Sequence, residues 1–194
     1  MSYRSHRWLG YFCVTILTTN ILVAQDILDP PFGLHWGDSP EKLLTWATRQ
    51  SLNVTILLPG NQPTLRILKI FPNKGLLPET KASAVEGRFD RGKLYEVAIH
   101  YVDPTATAEE MEVRFEALRR QTTNNYGPLL PNQQQRVVNN QFVTRTLSFH
   151  RETLKGHFLL LTFTEEQDLL RKSSEVRFSL VYQNDNFKTQ PMSR

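Results

Sequence analysis

Apolar residues recur at two spacings along this chain, and the changes of spacing mark its elements. Leu43, Leu44, Trp46 and Ala47 form one helical stripe directly after Asp38-Ser39-Pro40-Glu41. Ser39 is suited to capping free backbone N–H groups, Pro40 to the first helical position, and Glu41 to the positive end of the helix. These signals predict a helix that ends near Gln50. A second stripe, Met111, Phe115, Leu118 and Thr122, follows Thr107 and Glu110, which have the spacing of a capping box. Tyr126-Gly127-Pro128 ends that helix, with Gly127 as its left-handed cap.

Elsewhere the pattern is that of strands. Leu52 to Leu58 is β-branched and apolar, Pro59-Gly60-Asn61 marks a turn, and Leu65 to Phe71 is the expected hairpin partner. Residues 72–80 read as a loop. Ser83 to Phe89 and Lys93 to Val102 form the clearest hairpin, turned by Asp90-Arg91-Gly92. In its second strand Tyr95, Val97, Ile99 and Tyr101 make the better core face, while Leu94, Glu96, Ala98 and His100 lie on the other. Three further strands are expected at about 136–149, 156–164 and 175–183, with 165–172 linking the last two through a helical turn.

The predicted order is helix, three or four strands, helix, three strands. Most strands follow one another through short connections, so the sheet is expected to be mainly antiparallel with two helices packed on it. That is the α+β class, and the order is compatible with two α-β-β-β repeats. A doubly wound parallel sheet would need a helix between nearly every strand pair.

The N-terminus changes the picture. Arg4, His6 and Arg7 precede an apolar run from Trp8 to Leu17, which continues more weakly to Ala24 and gives way to Gln25-Asp26. This is the layout of a secretory signal peptide over residues 1–24, cut after Ala24. Thr15, Thr18, Thr19 and Asn20 interrupt the run and argue against a retained spanning helix. The organisation is then a signal peptide (1–24), a single α+β domain (25–183) and a flexible polar tail (184–194). Export to the periplasm or the extracellular space is the expected destination.

Composition supports this and excludes several classes. The chain has 194 residues, 40% hydrophobic and 22% charged, which is ordinary for a globular domain. Its net charge of +4 falls to +2 when Arg4 and Arg7 leave with the signal, so nucleic acid is not an expected partner. The only cysteine, Cys13, leaves too, which excludes disulfides and thiol-based metal sites from the mature chain. Aromatics before Cys13, Tyr11 and Phe12, do not suit a lipidation signal.

Phe32-Gly33-Leu34-His35-Trp36-Gly37-Asp38-Ser39-Pro40-Glu41, the hairpin Phe89-Asp90-Arg91-Gly92-Lys93-Leu94 and the helix end from Leu118 to Tyr126-Gly127-Pro128 carry a resemblance. The chain resembles small bacterial envelope proteins, mostly of unknown function. Their helix-plus-antiparallel-sheet repeats are of the β-lactamase-inhibitor-protein and small outer-membrane-lipoprotein type. The resemblance spans roughly residues 32–183 and implies an α+β architecture in the envelope. It implies no functional residue.

Residues capable of chemistry are sparse. His150 and His157 flank the turn at 151–156 and would share a metal if opposed across a hairpin. Pairing 150 with 157 also pairs Phe149 with Phe158, whereas a one-residue slip pairs Leu147 with Leu159 and separates the histidines. Both registers bury apolar pairs, and two ligands do not close a site. His100 and Asp103 are a possible acid–base pair at a strand end. In the opening turn, Trp36 is expected to pack and His35 to face solvent. Arg114, Arg119 and Arg120 alternate with acids, and Glu110–Arg114 and Glu116–Arg120 have the favourable ion-pair order of a solvated helix face. Asn53-Val54-Thr55 matches the glycosylation acceptor pattern within a strand. No nucleophile elbow, dinucleotide fingerprint or phosphate loop is present.

No catalytic, cofactor-binding or metal-binding residue is therefore assigned, and no cofactor is expected. The leading expectation is a non-enzymatic binding domain whose sheet face or edge meets a protein or another envelope component, without stable membrane insertion after signal cleavage. The alternative is a small extracytoplasmic enzyme or small-molecule binder. That role needs a concave apolar pocket between helix and sheet, with convergent polar groups.

Overall fold

A computed structural model describes residues 28–77 and 80–188. The expected signal segment and Cys13 lie outside the described residues, as do 78–79 of the expected loop and 189–194 of the expected tail.

Helix α1 spans Pro40–Arg49. Pro40 occupies the first turn as expected, but the Ser39 side chain caps no backbone N–H. Its hydroxyl instead bonds the Glu41 carboxyl and lowers that group's pKa. Helix α2 spans Ala108–Tyr126 and starts on a complete capping box. Glu110 N donates to Thr107 Oγ1 at 3.2 Å, and Thr107 N donates to Glu110 Oε2 at 2.8 Å. Gly127, at φ +86°, ends the helix in a conformation that only glycine adopts freely. No described helix is long and apolar enough to cross a membrane.

The strands are β1 (Asn53–Leu57), β2 (Leu65–Phe71), β3 (Ala84–Asp90), β4 (Lys93–Val102), β5 (Leu130–Val138), β6 (Phe142–Leu154), β7 (His157–Asp168) and β8 (Ser173–Asn184). They form one sheet in the order β1-β2-β3-β4-β8-β7-β6-β5, and every neighbouring pair is antiparallel. Two four-stranded meanders therefore meet along β4 and β8. The α+β class is as expected.

Several boundaries differ from expectation. The strand expected at 136–149 is two strands, because Asn139 folds the chain back. Its Oδ1 accepts from the N–H groups of Gln141 and Phe142. Each helix is thus followed by four strands, where three or four were expected after the first and three after the second. Glu165–Asp168 extend β7 instead of forming a link, and Asp168 Oδ1 accepts from Leu170 N and Arg171 N in a tight turn. No helical turn forms there. At the other end β8 reaches Asn184, which is buried, and a 3-10 turn follows at Asp185–Phe187. The first residues assigned to the tail are thus part of the fold.

The β3–β4 turn is Arg91-Gly92, with φ +49° and +75°. Two positive φ angles give the twist that a two-residue hairpin needs. A bulge then offsets β4: Arg88 pairs with Glu96, but Phe89 pairs with Leu94. Tyr95 is left between them. The core face of β4 is consequently Leu94, Val97 and Ile99, and Tyr95 sits beside Arg88 and Glu96.

Both helices pack on the same face of the sheet. Leu43 of α1 presses on Gly87 of β3. Phe115 of α2 meets Phe149, Phe163 and Phe178 on β6, β7 and β8, with ring centroids 6.2, 5.1 and 5.8 Å away. Register places Gly87 opposite Val97, Val97 opposite Tyr182, and Tyr182 opposite Leu159, so these residues share one layer. The core lies in that layer, with Leu28, Leu68, Ile70, Val85, Phe89 and Leu161 also fully enclosed. Neither helix covers the other face.

Candidate functional site

Alternation along β4 and β8 sends Ile99, Tyr101, Phe178, Leu180 and Tyr182 towards the helices. Helix α2 covers only part of this row. A cleft of about 560 Å³ remains, floored by these five residues and walled on one side by Met111, Arg114, Ala117, Leu118 and Gln121. Pro31, Thr80 and Lys81 line the other side. The volume lies in the range of small-molecule sites.

Polar groups converge on this apolar floor. Tyr101 stacks on Phe178, with ring centroids 4.6 Å apart and planes at 16°. Burial pushes the Tyr101 phenol up to about 12, and burial together with neighbouring Tyr126 raises Tyr182 further. Both phenols therefore stay protonated near neutral pH and can donate hydrogen bonds. Asp103 accepts from Thr105 N at 3.0 Å, Thr105 Oγ1 at 2.6 Å and Arg114 Nη1 at 2.8 Å. These bonds hold its carboxyl down at about 2. Arg114 is so fixed at the rim of the cleft.

The uncovered face carries a second arrangement. His150, Leu160, Val181, Ala98, Glu86 and Lys69 follow one another in a row across six strands. Beside it Arg88 Nε lies 2.9 Å from Glu86 Oε1 and 3.3 Å from Glu96 Oε1. His100 Nε2 lies 3.9 Å from Glu86 Oε2. Burial raises the Glu96 pKa against the pull of Arg88, and burial lowers the His100 pKa against the pull of Glu86. Leu160 and Val181 are half-buried despite having no helix above them.

The residues singled out from sequence are mostly kept apart. His100 faces Glu86 and Asp103 is bound to Arg114, so they form no pair. Neither proposed register of the β6–β7 hairpin occurs. Leu154 pairs with His157 around Lys155-Gly156, and His150 pairs with Leu160. The actual turn is two residues long, with Gly156 at φ +83°, and this separates the histidines. Among the described residues no group of three or more metal-ligating side chains is assembled. His35 is exposed, while Trp36 packs on the core and donates to Leu28 O at 2.6 Å, as expected.

The expected helix ion pairs also differ. Glu110 is engaged in the capping box, leaving Arg114 to Asp103. Glu116 pairs with Arg119 at 2.7 Å, and Arg120 Nε donates to the Glu116 carbonyl. Asn53 is exposed at the start of edge strand β1. Sequence reasoning missed Tyr101, Tyr182 and Arg114 as one site. It also missed the Glu86–Arg88–Glu96 network, of which only the shared face of Glu96 and His100 was legible.

No protein-family model matches the chain, and no curated protein matches it.

Proposed function

We propose that this protein is a non-enzymatic binding domain that works outside the cytoplasm, in the periplasm or beyond the cell, and that a protein or envelope component sits on its uncovered sheet face. The observation that carries this reading is the row of Leu160, Val181 and Ala98 flanked by the Glu86–Arg88–Glu96 network. An apolar centre with a charged border is the anatomy of a protein interface. The basic start and apolar run before Ala24 support the location, and so does the resemblance to envelope proteins.

The test is cross-linking of the exported protein in envelope fractions. Leu160→Arg with Val181→Arg should abolish a specific cross-link that Val113→Arg, on the exposed side of α2, retains. A cross-link that survives the double change and is lost with Val113→Arg overturns the reading. Mass spectrometry of the exported protein should give a mature N-terminus at or near Gln25, and an intact Met1 in a membrane fraction would exclude signal cleavage.

One observation favours a second reading, a small-molecule binder. It is the cleft between α2 and the sheet, which meets the requirement of an apolar pocket with convergent polar groups.

A further inference from the structure

The geometry points to a specific class of ligand for the cleft between α2 and the sheet: an amphiphile with an apolar body and a single anionic group, of the long-chain carboxylate type. This inference rests on the second reading above, that the cleft is a binding site.

The floor settles the body of the ligand. Ile99, Phe178 and Leu180 are almost wholly buried, and Met111 closes the helix side. A multiply charged molecule would lose its hydration there and regain few bonds, since the polar groups over this floor are the Tyr101 and Tyr182 phenols. An apolar chain would instead remove the remaining exposed apolar surface of the cleft from water.

The rim settles the charge. Among the described residues lining the cleft, the charged ones are Lys81, Arg114 and Asp103. Among these described residues two cations face one carboxylate, an excess of one positive charge. Asp103 is satisfied by Thr105 and by Arg114 Nη1. A guanidinium has five N–H donors in a fixed fork, so the Asp103 bond leaves donors that can bind a ligand oxyanion. Asp103 thus positions Arg114 without consuming it. A cationic amphiphile would meet the excess positive charge, and a neutral one would leave it without a partner.

The experiment uses the exported mature protein and two fluorescent probes. 1-Anilinonaphthalene-8-sulfonate carries one anionic group, N-phenyl-1-naphthylamine is neutral, and oleate serves as competitor. Both probes should bind, and oleate should displace both. Ala117→Trp places a large ring in the cleft from an exposed helix position and should weaken both probes about tenfold or more. Gln121→Trp, one turn along the same wall, serves as an independent blocking variant. Arg114→Gln should weaken the sulfonate probe and oleate about tenfold and leave the neutral probe within about twofold. Circular dichroism checks that each variant is folded.

The failures are distinguishable. If both tryptophan variants block the probes but Arg114→Gln weakens both probes equally or neither, the anion inference is wrong and the cleft remains a binding site. If neither probe binds, or the tryptophan variants leave binding unchanged, the cleft reading itself falls.

Discussion

Leu43 of α1 lies over Gly87 of β3 so closely that a Cβ on Gly87 would fall inside its Cδ2 methyl. Leu43 is completely buried. The absence of a side chain at Gly87 therefore sets how near α1 approaches the sheet. Gly87→Ala should destabilise the domain by about 1–3 kcal/mol through overpacking, against a small gain from reduced unfolded-state entropy. Gly60→Ala, where a Cβ meets nothing within 4 Å, is the control and should stay within about 0.5 kcal/mol. Denaturant unfolding measures both. Adding Leu43→Ala to Gly87→Ala should cost less than the sum of the two single changes, because the shortened side chain removes the clash.

Phe115 anchors α2 to three strands at once. It is 1% exposed and touches a phenyl ring on each of β6, β7 and β8. Phe115→Ala should cost about 3–5 kcal/mol. Leu118→Ala, on the half-buried wall of the cleft, should cost less, about 1–2 kcal/mol. The contact of Glu112 with Arg145, at 3.6 Å, is exposed, so Glu112→Ala should change stability by less than about 0.5 kcal/mol. Equal midpoints for the Phe115 and Glu112 variants would show that α2 does not dock through this face.

The fold was legible wherever a local rule acted alone. Thr107 and Glu110 announced the start of α2, Arg91-Gly92 announced a hairpin, and the short connections between successive strands announced an antiparallel sheet. What was not legible depends on contacts across strands. The bulge at Tyr95 shifts one strand against its neighbour, and nothing in Leu94-Tyr95-Glu96 fixes that shift locally. Asn139 splits β5 from β6 through two side-chain bonds, yet Asn139-Asn140 lies in a polar stretch that also reads as an exposed strand. The His150–His157 register turned on the length of one turn. The cleft was least visible, because Tyr101, Arg114 and Tyr182 come from three elements and meet only when α2 has docked.

His100 gives the uncovered face a pH signature. Burial holds its imidazole below the usual 6.5, although Glu86 lies 3.9 Å away and acts in the opposite direction. A lowered folded pKa means that the unfolded chain takes up its proton first as pH falls. The stability associated with neutral His100 is therefore present above about pH 6.5 and is lost as pH falls below it. His100→Gln should lose less stability than the parent protein between about pH 7 and pH 5. Thermal unfolding across that window measures the difference, and an identical slope in both proteins would show that His100 is not desolvated.

Asp103 has the opposite position in the pH scale and a different face of the sheet. Its carboxyl is held at about 2, below the usual 3.8, by the Thr105 hydroxyl first and then by Arg114 and the Thr105 N–H. A lowered folded pKa in an acid means that the unfolded chain binds the proton first. The contribution is fully present above about pH 4–5 and is lost as pH falls towards 2. Asp103→Asn should therefore flatten the acid limb of the stability curve in that window. It should also loosen Arg114, whose Nη1 would exchange a carboxylate partner for a neutral amide. These effects separate with salt. Screening weakens the exposed Arg114 contribution but leaves the short Thr105 bonds in place. The difference between Asp103→Asn and the parent protein should shrink only partly at high ionic strength. A difference that vanishes entirely in salt would assign the lowered pKa to Arg114 alone and deny Thr105 its leading part.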